Sequence, residues 1–190
     1  MRLSVERPES VIHIGGVHVA GEPSILRTVL GSCIAVCLND LVARIGGMNH
    51  FMLPAPGGGS DDRWEAGRYG VHAMDLLIGA MLKAGADRRR IQARLFGGAS
   101  IAGMNNGRGG VGQRNVEFIE EFTKVEDIPV VSRDLGGYLP RQIHFYTDTG
   151  KVQVKRLGLK PLRLTRIEEA EHLRQVRQHG PQFGEITLFE

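Results

Sequence analysis

The chain has 190 residues, 42% hydrophobic and 24% charged, with a formal net charge of +3. That length suits one domain, or a domain with a tail, able to bury a substantial core without covalent staples. No run approaches the roughly eighteen apolar residues of a membrane span, and the opening Met1-Arg-Leu-Ser-Val-Glu-Arg-Pro8 lacks a signal peptide's apolar core, so a cytoplasmic location without membrane insertion is expected.

The first third of the chain reads as strands. Residues 11–14 and 17–20 are short β-rich runs in which His13 and His18 alternate with apolar neighbours, so both histidines are expected to face solvent. Residues 24–29 lead into the turn Gly31-Ser32-Cys33. The run 34–38, with β-branched Ile34 and Val36 at alternate positions, and the apolar run 42–52 read as two adjacent antiparallel strands. If the turn is Asp40 to Ala43, Cys33 faces His50 on one side of the sheet. A tighter turn on Asn39-Asp40 would pair Cys33 with Gly46 instead, and the apolar pattern admits both.

Cys33 and Cys37 are the whole thiol inventory. Four residues apart on a strand, their Cα atoms are about 13 Å apart, beyond the roughly 7 Å a disulfide spans. No Cys-x-x-Cys or His-Glu-x-x-His pattern suggests a metal, and no cofactor is implied. Cys37 lies deeper in the apolar run and reads as core. A cysteine at a strand start is most often a small buried hydrophobe. Beside an imidazole it can instead lose its proton and attack an acyl carbon. Small residues before it, Gly31 and Ser32, would let backbone N–H groups approach the resulting oxyanion.

Residues 55–62 are a loop by composition. From 69 to 84, Val71, Met74, Ile78 and Met81, with Leu77 and Leu82 beside them, recur at helical spacing and stop at Gly85. His72 lies off that stripe and is expected at the surface. Arg88-Arg-Arg90 follows the helix end, where cations complement the helix dipole, and no aromatics interleave it. No nucleic-acid interface is expected, though the positive surplus could help attract an acidic partner.

Residues 91–96 read as a strand. Gly107-Arg-Gly-Gly-Val-Gly112 satisfies G-x-G-x-x-G, but a dinucleotide fingerprint follows its strand directly, and here residues 97–106 intervene. A mobile loop, able to close over a site, is the better reading. Val116, Ile119 and Phe122 share a helical face, with Asn115 at a helix-start position. Strands follow at 129–132, 141–146 and 151–156; His144 carries no motif. From Thr165, with Glu168 completing a capping box, Ile167, Ala170, Leu173 and Val176 mark an amphipathic helix. Its arginines Arg166, Arg174 and Arg177 are balanced by Glu168, Glu169 and Glu171. Hairpins rather than regular βαβ alternation indicate an α+β sandwich.

The run Thr28-Val-Leu-Gly-Ser-Cys33-Ile-Ala-Val-Cys and then Gly47-Met-Asn-His50-Phe-Met-Leu-Pro54 resembles the signature of the CheD family of bacterial chemotaxis proteins. The likeness continues in Leu95-Phe-Gly-Gly-Ala-Ser100, Gly112-Gln-Arg-Asn-Val116, Asp134-Leu-Gly-Gly137 and Thr147-Asp-Thr-Gly-Lys-Val152, over roughly residues 8–158. The resemblance implies a three-layer β/β/α sandwich; a CheD-like domain is expected over 1–160, and a helical extension, outside the resemblance, over 161–190. It also implies a protein-glutamine deamidase that converts glutamines of methyl-accepting chemotaxis receptors to glutamate through a thioester on Cys33, with His50 as acid and base. A threonine before the cysteine orients the imidazole in the family. Thr28 is the match, and a shift of one residue would put Arg27 there. Asn49 is adjacent to His50 but on the opposite face of the strand. The resemblance further implies a CheC-type phosphatase as a partner in bacteria that have one. The competing expectation is a non-catalytic regulator that binds receptors or the phosphatase.

Overall fold

The computed structural model describes residues 6–54, 62–100, 110–158, 167–172 and 174–175. Five strands, β1 (Glu9–Val11), β2 (Val17–Ala20), β3 (Ile25–Leu30), β4 (Ile34–Asp40) and β5 (Ile45–Phe51), precede helix α1 (Asp62–Lys83). A 3-10 turn at Arg88–Arg90, β6 (Gln92–Gly97), α2 (Val111–Val125), β7 (Val130–Leu135), β8 (Arg141–Tyr146) and β9 (Val152–Arg156) complete the domain. One sheet has the order β1-β3-β8-β9 and the other β2-β5-β4-β6-β7.

Alternation along β4 explains how the layers stack. All seven of its residues are buried, so both faces are covered. Ile34, Val36 and Leu38 point to one side and meet Met74, Leu77 and Met81 of α1 and Ile119 and Phe122 of α2. Cys33, Ala35 and Cys37 point to the other, against Leu26 and Leu30 of β3 and Ile143 and Phe145 of β8. The result is a β/β/α sandwich with two cores, one between the sheets and one beneath the helices. Cys37 is core, as its position in the apolar run suggests, and burial pushes its thiol far up. Most pairings are antiparallel, but β1 runs parallel to β3 and β6 to β7, and α2 is the crossover of the β6–β7 βαβ unit.

The β4–β5 hairpin departs from both expected registers. Asp40 pairs with Ile45 and Ala35 with His50, leaving a four-residue loop, 41–44, with Arg44 at φ 58°. The cause is Asp40, which stays in the ladder while its carboxylate accepts the Val42 and Ala43 N–H groups (3.0 and 3.1 Å) and closes the loop. The other carboxylate oxygen accepts from the Asp87 N–H and from Arg90, 2.9 and 2.8 Å away. Arg90 thus holds Asp40 well below the usual carboxylate range, against the cost of burial. A depressed carboxyl stabilises the fold above about pH 4 and loses that contribution as pH falls below it. Asp40→Ala strands several buried donors and should cost about 2–4 kcal/mol in urea unfolding at pH 7, with a smaller penalty at pH 3. The arginine cluster is accounted for by carboxylates: Arg88 pairs with Glu126, Arg89 with Asp87, and Arg90 with Asp40 and Asp87.

Other expectations shift in detail. The first strand covers residues 9–11 rather than 11–14, and α1 begins at Asp62, inside the expected loop, of which residues 55–61 lie outside the described residues. On α1 the buried stripe is Met74, Leu77 and Met81, while Val71 and Leu82 are exposed. His13 and His18 face solvent, but His72 is half-buried. Of the glycine-rich stretch, 101–109 lies outside the described residues, and Gly112 belongs to α2.

Candidate functional site

The site forms where the chain passes from one sheet to the other. β3 belongs to the outer sheet and β4 to the central one, so Gly31, Ser32 and Cys33 bridge the two layers at one end of the sandwich. The bridge is clamped from three sides. The Gly98 N–H donates to the Cys33 carbonyl (2.7 Å) and the Ala99 N–H to the Gly31 carbonyl (2.8 Å). Gly97, at φ 116°, lies so close that a Cβ there would sit 2.0 Å from the Cys33 carbonyl oxygen, so only glycine fits. Asn115 supplies the third clamp: its amide N–H donates to the Ser32 carbonyl (2.7 Å) and its oxygen accepts from the Leu53 N–H (2.9 Å). Asn115 is therefore a fully buried brace between the Cys33 turn and the end of β5, not a helix cap.

Cys33 and His50 share the inter-sheet face. His50 is opposite Ala35 rather than Cys33. The relation to Cys33 is diagonal, a spacing of roughly 7–8 Å in a regular ladder that long side chains still span. Thr28 alternates inward on β3 while Arg27 points the other way, and only Thr28 meets the imidazole. Its hydroxyl donates to the Ile12 carbonyl (2.7 Å), leaving the oxygen to accept from His50 Nδ1 (2.9 Å). With Nδ1 protonated, Nε2 carries the lone pair. Among the described residues, nothing hydrogen-bonds to that buried Nε2. Asn49 turns toward the helices, where its side chain bonds to the Val36 N–H and the Ala73 carbonyl.

Burial keeps His50 neutral by pushing its pKa down to about 4, against the opposing Ile12 carbonyl and aided by His172 and His13. Burial also pushes the Cys33 thiol well up, and the carboxylate of Glu169 adds to the rise. Glu169 lies on the C-terminal helical segment, of which residues 167–172 and 174–175 are described. One of its oxygens accepts the Ser32 N–H (2.8 Å) and lies 3.4 Å from both the Cys33 N–H and Sγ; the other accepts from Ser32 Oγ (2.8 Å). Of the apolar stripe expected on this helix, Ile167 and Ala170 are exposed, and the buried residue among the described ones of the segment is Glu169. Thr165, Leu173 and Val176 lie outside the described residues.

The turn expected to bring backbone donors to the site has two of its N–H groups on Glu169. Ser32 and Cys33 present N–H groups to a carboxylate oxygen, whereas Gly31 contributes its carbonyl to the clamp. Chemically, a thiol, an imidazole with a fixed tautomer and paired backbone N–H groups can serve as nucleophile, base and oxyanion donors. Among the described residues no group of three or more histidines, cysteines or carboxylates is placed to hold a metal, and no helix is long and apolar enough to cross a membrane.

Residues 52–156 match the family model described as CheD chemotactic sensory transduction. The chain is 44% identical over 180 residues to the Dechloromonas aromatica protein named "Probable chemoreceptor glutamine deamidase CheD 1", covering 92% of this chain and 86% of that one. It is 44% identical over 174 residues to a Stenotrophomonas maltophilia protein (90% and 84% covered) and 37% over 182 residues to one from Vibrio vulnificus (92% and 84%). Both carry the name "Probable chemoreceptor glutamine deamidase CheD". The chain belongs to the CheD family.

Proposed function

We propose that this protein hydrolyses glutamine side chains of methyl-accepting chemotaxis receptors to glutamate and ammonia, with Cys33 as nucleophile. The observation that supports the reading is the fixed tautomer of His50, which lies on the same face of the central sheet as Cys33 and whose buried Nε2 has no hydrogen-bond partner among the described residues. Names borne by relatives at 37–44% identity supply the substrate class.

Nε2 takes the thiol proton, and the thiolate attacks the carboxamide carbon. The Ser32 and Cys33 N–H groups receive the oxygen as it gains charge, where two donors outperform solvent because they need no reorganisation. The imidazolium then protonates the departing nitrogen, the C–N bond breaks, and ammonia leaves a thioester on Cys33. Nε2 next takes a proton from water, whose hydroxide adds to the thioester carbonyl, and breakage of the C–S bond returns the thiolate and a glutamate side chain. The thiolate recovers its proton from the imidazolium. Thr28 keeps Nδ1 protonated throughout, so Thr28→Val should lower conversion roughly 10- to 100-fold while the fold persists. A circular-dichroism melt beside the rate assay checks both halves of that statement.

Incubating the purified protein with the amidated cytoplasmic region of its own organism's receptors, followed by peptide mass spectrometry, tests the proposal. Glutamine-to-glutamate conversion supports it. Binding of receptor or of a CheC-type phosphatase with no conversion would make the protein a regulator instead.

A further inference from the structure

We propose that the C-terminal helical segment around Glu169 is an internal product mimic, which fills the seat for the substrate carboxamide and is displaced when a receptor helix presents its glutamine. The inference rests on the deamidase reading and adds to it how the site is kept closed and what form of substrate opens it.

The occupant is chemically the reaction product. A glutamate side chain reaches from a helix to the Cys33 turn, and its carboxylate accepts from Ser32 N–H and Oγ at 2.8 Å and lies 3.4 Å from the Cys33 N–H and Sγ. A glutamate formed on a receptor helix would leave its carboxylate against these same groups at the end of a turnover. Helix burial normally follows apolar side chains. Here Ile167, Glu168, Ala170, Glu171, Arg174 and Gln175 are exposed, and the only fully buried side chain of the described segment is a carboxylate. Burying that group is unfavourable unless hydrogen bonds receive it; these donors offset part of the cost, and burial still pushes the Glu169 carboxyl up. A second contact lies three residues on, where His172 meets the Tyr69 hydroxyl at 3.2 Å and packs over Gly15. The segment is therefore held at two points on one helical face, which defines a groove for a helix with glutamine at one position and a polar side chain one turn later.

The contact is also inhibitory. With Glu169 in place the thiol hydrogen points to a carboxylate oxygen rather than to His50 Nε2, and the negative charge opposes thiolate formation. A neutral carboxamide in the same seat removes that charge while keeping the backbone donors engaged.

The test uses the full chain. Cys33 alkylation by iodoacetamide is followed by peptide mass spectrometry in the native protein and in E169A, beside conversion of the receptor region. E169A should be alkylated on the order of tenfold faster or more, since both occlusion and the neighbouring charge are removed. The isosteric E169Q gives a second readout that survives any folding defect of E169A: the amide at position 169 should convert to glutamate in cis, at a rate independent of protein concentration, and should persist in the E169Q and Cys33→Ala double variant. Unchanged alkylation in E169A, or a persistent amide in E169Q under conditions where the native protein converts receptor, overturns the proposal. Faster alkylation in E169A with no conversion of either receptor or position 169 supports occlusion by Glu169 and overturns the deamidase reading alone.

Discussion

Cys33→Ala should reduce receptor-glutamine conversion roughly 10⁴-fold or more, to the background rate, because the covalent intermediate of the proposed reaction forms on its sulfur. The only other thiol, Cys37, is fully buried and further along β4. Alanine removes one sulfur from a site clamped through its backbone, by Gly98 on Cys33 itself and by Asn115 on Ser32, so the turn should keep its shape. Receptor binding by the variant should therefore persist while conversion is lost, which separates chemistry from recognition.

His50→Asn should lower conversion by about 10²- to 10⁴-fold, the range for loss of a positioned acid and base. The same substitution has a signature in stability. The His50 pKa is pushed down to about 4 by burial, so between pH 6.5 and 4 the unfolded chain binds a proton that the folded one excludes. The stability this histidine contributes is complete above about pH 6.5 and declines as pH falls through that window. Urea unfolding of the native protein should show this decline, and the His50→Asn variant should lack that component. A parallel decline in both proteins would mean that His50 is not buried in its neutral form.

The face that Cys33 and His50 share was legible in the sequence although the cross-strand partner of each was not. The period of a strand is two, so an error of two residues in register leaves every side chain on its correct side. The expected pairing of Cys33 with His50 and the observed pairing of Ala35 with His50 differ by that amount. What displaced the loop was a capping carboxylate, Asp40, whose partners Asp87 and Arg90 lie far along the chain. Thr28 against Arg27 was likewise undecided by spacing and is resolved by alternation along β3, which turns Thr28 inward to the imidazole.

Residues whose roles depend on a distant polar partner were the ones missed. Asn115 has the composition of a helix cap and sits instead as a brace reaching the backbone of Ser32 and Leu53. Glu169 is the sharper case. Periodicity assigns charge to the outside of a helix, and nothing local to residues 165–176 marks a carboxylate that finds donors at Ser32 and Cys33. His72 was misplaced for a related reason, since β2 and β5 cover part of the α1 face beyond its apolar stripe.

Hydrolysis of the carboxamide through Cys33 is tested by converting the amidated receptor region in ¹⁸O-labelled water with the native protein and with Cys33→Ala side by side. The native protein should yield receptor glutamates carrying one labelled oxygen, and the variant should leave the glutamines unchanged. Labelled glutamate formed equally by both would contradict the role of Cys33, and an unchanged receptor with both would contradict the reaction itself.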